Sequence, residues 1–494
     1  MIHIKTHKVH NTALLFILIA PFTITWYCVY VFNPANAGNI YLYAVQILAD
    51  IIAIISVGTL WLTILLHILN PDNEQIDHVA QKKWLEEGNP TVEVYIPVAN
   101  EPIAIIKKTV THAVAMAYPH ITYVLDDGHS DEVKTVVTEL GARYLSRNRE
   151  GKKHAKAGNL NFGLTHAKAD FFAVFDSDHI PDKNFLVELL PFFEDEKVAL
   201  VQTPQYYTNT HNFIAAGTSQ AQDIFYKYVQ PAKNSYNAAF CVGTNMIYRK
   251  SAIDAVGGIS QRDHSEDVWT TILLHEKGYT SIFYNKVLAR GRAPESIRAF
   301  FRQQNRWAQG GFSMFFNHNP LSSKELSIDQ KLQYFFSNFH YFSGIAILIY
   351  MLLPITYLLF GIHPMDVLHN KGWLIHYVPY FLTIYLLPIF LLGSLKLSTI
   401  SISMASFYPY LKALISVALK NEYTWIATEA KTSARISFIL SDIWPHLFII
   451  CISVLSIFVG WYRPVDITTT AITSFWVLIN TYTLFIFIKN GIND

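Results

Sequence analysis

The chain has 494 residues, of which 51% are hydrophobic, 14% aromatic and only 15% charged, where ordinary soluble domains carry about 25% charged residues. Its 38 basic and 37 acidic groups leave a net charge of +1, which argues against a polybasic nucleic-acid binder and against an acidic disordered chain. Cys28, Cys241 and Cys451 are too far apart for a disulfide framework or a zinc site.

In chain order, residues 12–32 and 51–69 are uncharged apolar runs of the length needed to cross a bilayer. The first contains Pro21-Phe22-Thr23-Ile24-Thr25-Trp26 and no small-residue cleavage site, so it reads as a spanning helix rather than a signal peptide. Four further candidates follow at 342–361, 374–394, 444–461 and 468–488, giving six expected spans. Lysine and arginine set orientation. Lys5 and Lys8 precede the first span, residues 33–40 carry no basic group, and Lys396, Lys412, Lys420, Lys431 and Arg435 fall between the fourth and fifth. Lys489 follows the last, so both termini and the central region are expected in the cytoplasm of a multi-pass inner-membrane protein.

The polar stretch 70–341 is long enough for one or two domains. VEVYIPV at 92–98 ends in Asn100-Glu101-Pro102, the run 121–125 ends in Asp126-Asp127-Gly128, and the run 171–175 ends in Asp176-Ser177-Asp178. Helical patterns separate them, which predicts an α/β domain with a parallel sheet covered on both faces. Ligands of such sheets bind beyond the carboxyl ends of the strands, so the three acidic clusters are expected on one rim.

Two carboxylates one residue apart, Asp176 and Asp178, suit Mg²⁺ or Mn²⁺ shared with substrate phosphates. Asp126 and Asp127 suit either the base or ribose of a nucleotide, or the cap of the next helix. Gln303, Arg306 and Trp307 share a helix face, where Arg306 fits phosphate and Trp307 offers either a flat platform for a sugar or a membrane-interface anchor. Phe300, Phe301, Phe312, Phe315 and Phe316 give that segment the look of an interfacial helix. Glu266 and Asp267 follow Ser265 as either a general base with its neighbour or first-turn acids favoured by a helix dipole.

Taken in order, these elements resemble the processive family 2 glycosyltransferases, and particularly the bacterial cellulose synthase-like branch. The resemblance runs through Ile96-Pro97-Val98-Ala99-Asn100-Glu101-Pro102, Asp126-Asp127-Gly128, Lys156-Ala157-Gly158-Asn159-Leu160-Asn161 and Asp176-Ser177-Asp178-His179. It continues through Gln202-Thr203-Pro204-Gln205, Phe240-Cys241-Val242-Gly243-Thr244-Asn245, Ser265-Glu266-Asp267 and Gln303-x-x-Arg306-Trp307. It implies a GT-A domain (71–295) between two N-terminal spans (1–70) and an interfacial segment (296–341), then four spans (342–494) with a cytoplasmic gating loop at about 396–436. It implies inverting transfer from a UDP-sugar, most simply UDP-glucose into a β-1,4-glucan extruded across the bilayer as it grows, with Mg²⁺ (or Mn²⁺) as cofactor. Glu101, Asp126, Asp127, Lys156, Asp176, Gln303 and Arg306 would bind the nucleotide sugar, and Asp176 and Asp178 the metal. Asp267 would be the base beside Glu266, and Trp307, Cys241, Gly243 and Thr244 would line the acceptor path. Accessory export or periplasmic subunits would be further partners, and nucleic acid would not.

The chain departs from the family pattern at Val98-Ala99, where the family often has Thr-Tyr, and at Trp425–Lys431, where Thr428 and Lys431 are offset from the gating-loop motif. It is expected to lack the C-terminal cyclic-di-GMP-binding barrel, since the last span ends about six residues before the chain does. The same residues fit synthases of β-1,3-glucan, mannan, chitin or hyaluronan. They fit less well a lipid-carrier transferase, or a nucleotide-sensing transporter, which would need ionisable residues inside its spans. His446 is the residue of that kind picked out from the sequence.

Overall fold

The computed structural model describes residues 11–69, 78–147, 154–262, 265–366, 372–420, 436–462 and 466–493. The gating-loop stretch with Thr428 and Lys431 lies outside the described residues.

Strands β1 (Val92–Val98), β2 (Ile121–Asp126), β3 (Arg143–Leu145) and β4 (Phe171–Val174) form one half of a seven-stranded sheet. The other half is β6 (Val198–Gln202), β7 (Met246–Arg249) and β8 (Thr280–Phe283), and the order is β3-β2-β1-β4-β7-β6-β8. A separate ribbon pairs β5 (Ile180–Pro181) with β9 (Ala289–Arg290). All seven residues of β1 are buried, as expected of a strand covered on both faces. Val94, Ile96 and Val98 join the core on one face with Ile106 and Val110. Tyr95 points to the other, with Leu160 and Ile253.

The expected parallel sheet is corrected to a mixed one. β1 to β4 are mutually parallel, but β7 runs antiparallel to both β4 and β6. A parallel neighbour needs a long crossover. β7 instead emerges from the turn 242–245 at the carboxyl end of β4, where Asn245 N–H donates to Val174 O at 2.9 Å, and so runs back down the sheet. The carboxyl ends of β1, β2 and β4 do share one rim. β1 lies between β2 and β4, so the chain leaves in opposite directions on either side of it and opens a crevice there.

Among the described residues, seven helices are long and apolar enough to cross a membrane, not six. Six overlap the expected spans, the third starting at Ile328 inside the segment expected to be interfacial; the seventh, Leu397–Ala418, falls in the segment expected to be a cytoplasmic loop. It is interrupted at Ser406, and its second half, Phe407–Ala418, packs along the helix Ile297–Asn317. The second span is also longer than expected, Ile40–Leu69 rather than 51–69, because the sequence reading stops at the charge of Asp50. That carboxylate accepts hydrogen bonds from Tyr27 Oη at 3.0 Å, Tyr350 Oη at 2.6 Å and Gln46 Nε2 at 3.3 Å, and is 1% exposed. Intrahelical and interhelical donors thus let the helix run through an acid. His446 is buried, with Nε2 on Ala405 O at 3.0 Å and its ring stacked 5.3 Å from Phe301.

The helix Ile297–Asn317 joins the two halves of the molecule. Ser296 caps it by accepting from Ala299 N–H. Phe300 and Phe301 pack with Ile402, Ile443 and Phe487 of the helical bundle, while Met314 packs with Trp269 and Phe240 of the sheet domain.

Candidate active site

The rim carries three loops. After β2, Asp126 accepts from Gly128 N–H at 2.6 Å, Ser130 N–H at 2.8 Å and Tyr144 Oη at 2.8 Å, and is 1% exposed. Its expected place as a nucleotide ligand is therefore corrected: the carboxylate is spent in folding its own loop. Asp127 is held by Arg147 through two bonds of 2.7 Å, from Nε and Nη2. Arg147 was missed in the sequence because β3, which delivers it to the rim, is only three residues long.

After β1, Glu101 accepts from Ala99 N–H at 2.5 Å. Burial, helped by the charges of Asp176 and Asp178, raises its carboxyl above the ordinary range. After β4, Asp176, Asp178 and His179 bring one ligand atom each within 4.8 Å of one another. His179 Nδ1 lies 2.7 Å from Asp178 Oδ1, and its Nε2 is buried without a partner. Two carboxylates and an imidazole make a donor set that fits a divalent ion with hard-to-intermediate ligand preference. The β5–β9 ribbon fixes this loop, since a Cβ on Gly291 would lie 2.3 Å from His179 Nε2.

Lys156 crosses the crevice. Its ammonium pairs with Asp176 Oδ1 and donates to Gly243 O at 2.6 Å. Burial acts to lower its pKa, but Asp176, Glu266 and Asp267 together carry it above the ordinary lysine value. Gly243 sits at φ +87°, a conformation that favours glycine. A Cβ there would stand 3.1 Å from Asp267 Oδ2 and 3.6 Å from Lys156 Nζ. Asp267 is the second residue of the helix Glu266–Glu276, and its Oδ1 accepts from Val268 N–H at 2.8 Å. Burial first and Glu266 second push its carboxyl up to about 7, with Lys156 and Arg306 pulling the other way. A half-buried carboxylate that titrates near neutrality is suited to taking a proton.

The charge of Arg306 reaches Asp267, and Gln303, Arg306 and Trp307 all lie on the helix Ile297–Asn317. Its approach is set at Gly310, where a Cβ would lie 1.8 Å from Ser265 Oγ, the residue before Glu266. Gln303 Oε1 is buried without a partner. Arg306 has no hydrogen-bond partner among the described residues, and its charge acts on Asp267 and Tyr207. Trp307 is half-buried and has no ring contact among the described residues.

Two expected acceptor residues are corrected. Cys241 is 0% exposed in the core, where its sulfur accepts from Gly243 N–H at 3.3 Å. Burial pushes the thiol far above its ordinary value. Thr244 is equally buried, and its hydroxyl accepts from Asp176 N–H at 2.9 Å. Both shape the turn from beneath, and of the three it is the Gly243 peptide that meets the site. Gln202, Gln205 and Tyr207 were passed over as components of the site. Their side chains form a chain of bonds under the same turn, and a Gln-Thr-Pro-Gln run gives no sign of that without its partners.

A seven-stranded mixed sheet with an acidic rim, a lysine spanning it and a raised carboxyl at a helix start makes a GT-A-like fold. Residues 171–397 match the family model described as glycosyl transferase family group 2. It is similar to the cellulose synthase catalytic subunit [UDP-forming] of Pseudomonas fluorescens (strain SBW25), 34% identical over 290 residues, 56% of this chain and 39% of that one. It is also similar to cellulose synthase 1 of Komagataeibacter xylinus, 32% identical over 281 residues, 55% of this chain and 18% of that one. The matches thus span less than half of those relatives' length. Among solved structures, the mannosyltransferase PcManGT from Pyrobaculum calidifontis, in complex with GDP-Man and Mn²⁺, superposes with a TM-score of 0.52 at 15% identity, over 76% of this chain and all of that one. That likeness is one of fold.

Proposed function

We propose that this chain is a membrane-embedded, inverting, processive glycosyltransferase that builds a β-1,4-glucan from UDP-glucose and passes it through its helical bundle. The reading is carried by one juxtaposition: Lys156 bridges the Asp176 loop to the Gly243 peptide beside Asp267, and the helix bearing Arg306 and Trp307 closes on the start of the Asp267 helix at Gly310. The cellulose synthase relatives support the donor and the product.

In this mechanism the acceptor hydroxyl gives its proton to Asp267 as its oxygen attacks the anomeric carbon. The bond to the diphosphate oxygen breaks on the opposite face, which inverts the centre. Asp176, Asp178 and His179 would hold Mg²⁺ or Mn²⁺, which supplies positive charge for the leaving diphosphate. Arg306 supplies further charge there, and preorganised charge of this kind needs no rearrangement during the reaction. Asp127 with Arg147, and Glu101, would border the nucleoside, Gln303 the diphosphate, and Trp307 the terminal sugar of the growing chain. Lys156 holds the metal loop and the base in one frame. With Leu397–Ala418 lying against the Ile297–Asn317 helix rather than crossing, the termini and the sheet domain would face the cytoplasm, with the lipid bilayer as a constant partner and export subunits as others.

The test is a donor screen on membranes containing the full chain, with labelled UDP-glucose, UDP-N-acetylglucosamine, UDP-galactose and GDP-mannose. A long, cellulase-sensitive polymer from UDP-glucose alone is expected. Polymer from another donor would replace the substrate and keep the mechanism. A lipid-soluble single-sugar product would refute processivity.

A further inference from the structure

The turn 242–245 touches three parts of the site at once. Its Gly243 carbonyl holds Lys156, its Gly243 Cα faces Asp267, and its Thr244 hydroxyl holds the Asp176 backbone. A turn with a glycine at φ +87° has few restraints of its own, so its placement depends on what grips it.

The grip comes from Gln202, the last residue of β6, which is 1% exposed. Its Oε1 accepts from Val242 N–H at 3.0 Å, just before Gly243. Its Nε2 donates to Thr244 O at 2.7 Å, just after Gly243, and to Thr203 O at 2.8 Å. The amide can stand only one way round, because Val242 offers a donor and the two threonines offer acceptors. Thr203 in turn donates to Asn245 O, from its N–H at 3.1 Å and its hydroxyl at 3.0 Å, and so holds the turn on one side. Gln205 adds a second hold, from Nε2 to Val242 O at 3.1 Å. Gln202 is anchored in turn by its strand, in register with Met246 of β7 and Phe283 of β8.

We propose that Gln202 is a positioning residue, whose amide clamps both sides of Gly243 and thereby sets that peptide against Lys156 and the Asp267 carboxylate. Asp267 serves as base only under the reading above, and the inference rests on that reading for its catalytic consequence. Its geometric consequence is independent. When the clamp is removed, the Gly243 peptide withdraws and water reaches Asp267. Burial is the largest cause of the raised Asp267 value, so the carboxyl then titrates lower. The charged groups facing Asp267 are Glu266 on its own helix, Lys156 and Arg306. The other titratable neighbours are Cys241, Tyr226, Tyr248 and Tyr341. Tyr226 and Tyr248 are held neutral by burial, as is the Cys241 thiol.

The test uses the full chain in lipid nanodiscs with two variants. Gln202→Met keeps the volume and removes every bond; Gln202→Leu also removes every bond, and neither adds a charge near Asp267. The protonation midpoint of Asp267 is read from the carboxyl infrared band that Asp267→Asn lacks, UDP binding by calorimetry, and transfer by kcat and KM. Expected for both variants are a midpoint lowered by about one pH unit, UDP affinity within about twofold, and kcat reduced on the order of 10²-fold, the scale of a small misplacement of reacting groups. An unmoved midpoint in either folded variant would overturn the proposal, whether or not kcat falls. If the parent chain transfers no sugar from any donor, the glycosyltransferase reading fails, and the midpoint still decides the positioning role.

Discussion

Replacing Asp267 with Asn should sharply reduce transfer and at the same time stabilise the fold. In the folded chain this carboxyl is pushed up to about 7 from an ordinary 3.8, by burial first and by Glu266 second. An acid raised on folding binds more protons folded than unfolded, so stability falls as pH rises between the two values, and the penalty is complete above about 7. At about 1.36 kcal/mol per unit the unscreened ceiling is about 4 kcal/mol. Solvent reaches the half-buried side chain, and roughly half of that, ~2 kcal/mol, is the working figure. Asn is neutral in both states and escapes the penalty. The variant should therefore exceed the parent by about 2 kcal/mol at about pH 8.5 and by about half as much at about pH 5.5, where the penalty is half developed. Thermal unfolding in detergent at both values, followed by tryptophan fluorescence, measures this, with about 2–4 °C expected per kcal/mol for a domain of 150–250 residues. Transfer by the same preparations should fall by about 10²–10⁴-fold, and parent transfer should rise with pH to a plateau above about 7. A variant less stable than the parent at the higher pH, or a difference that does not grow with pH, would refute the buried-carboxylate account. Retained turnover would refute the base.

Gly310→Ala puts a methyl 1.8 Å from Ser265 Oγ and should push the Arg306 helix off the Asp267 helix. Transfer should then fall by on the order of 10²-fold, and Ser265→Gly in the same chain, which removes both the Oγ and the Cβ 3.0 Å from the added methyl, should restore much of it; no rescue would mean that the two helices are not set by that contact. Trp307→Ala should shorten the product, sized by gel filtration, while UDP affinity measured by calorimetry stays unchanged. A fall in UDP affinity instead would move Trp307 to the nucleotide. Asp178→Asn should weaken Mn²⁺ binding, followed by electron paramagnetic resonance, more than Asp126→Asn does, because Asp126 is spent within its own loop. Equal weakening would show that the Asp176 loop is not the metal site.

Much of this molecule was legible before any fold was known. Apolar runs of bilayer length mark the spans because hydrocarbon demands them over about 20 residues whatever the partners. The runs 92–98, 121–125 and 171–175 announce buried strands, and the acids after them announce the rim, because strand ends and their polarity are local properties. Reading charge as a break failed at Asp50, which stays inside a helix because Tyr27, 23 residues before it, and Tyr350, 300 residues after it, supply donors.

Tertiary structure decided which of the rim residues are free to act. Asp126 and Asp127 are neighbours in the sequence, yet the first is taken up by Gly128, Ser130 and Tyr144 of its own loop, and the second is set at the rim by Arg147. Cys241 and Thr244 went beneath the turn, and Gly243 came to face Asp267. Gln202 became a clamp through a bond to Val242, 40 residues away. The sequence by itself determined the elements, the rim and the kinds of side chain gathered there, since periodicity and composition record whether a position is buried. Only the folded chain decided which groups those side chains meet, because a hydrogen bond depends on donors and acceptors brought within about 3 Å, and antiparallel β7 and the Gly310 contact are made between segments far apart in the chain.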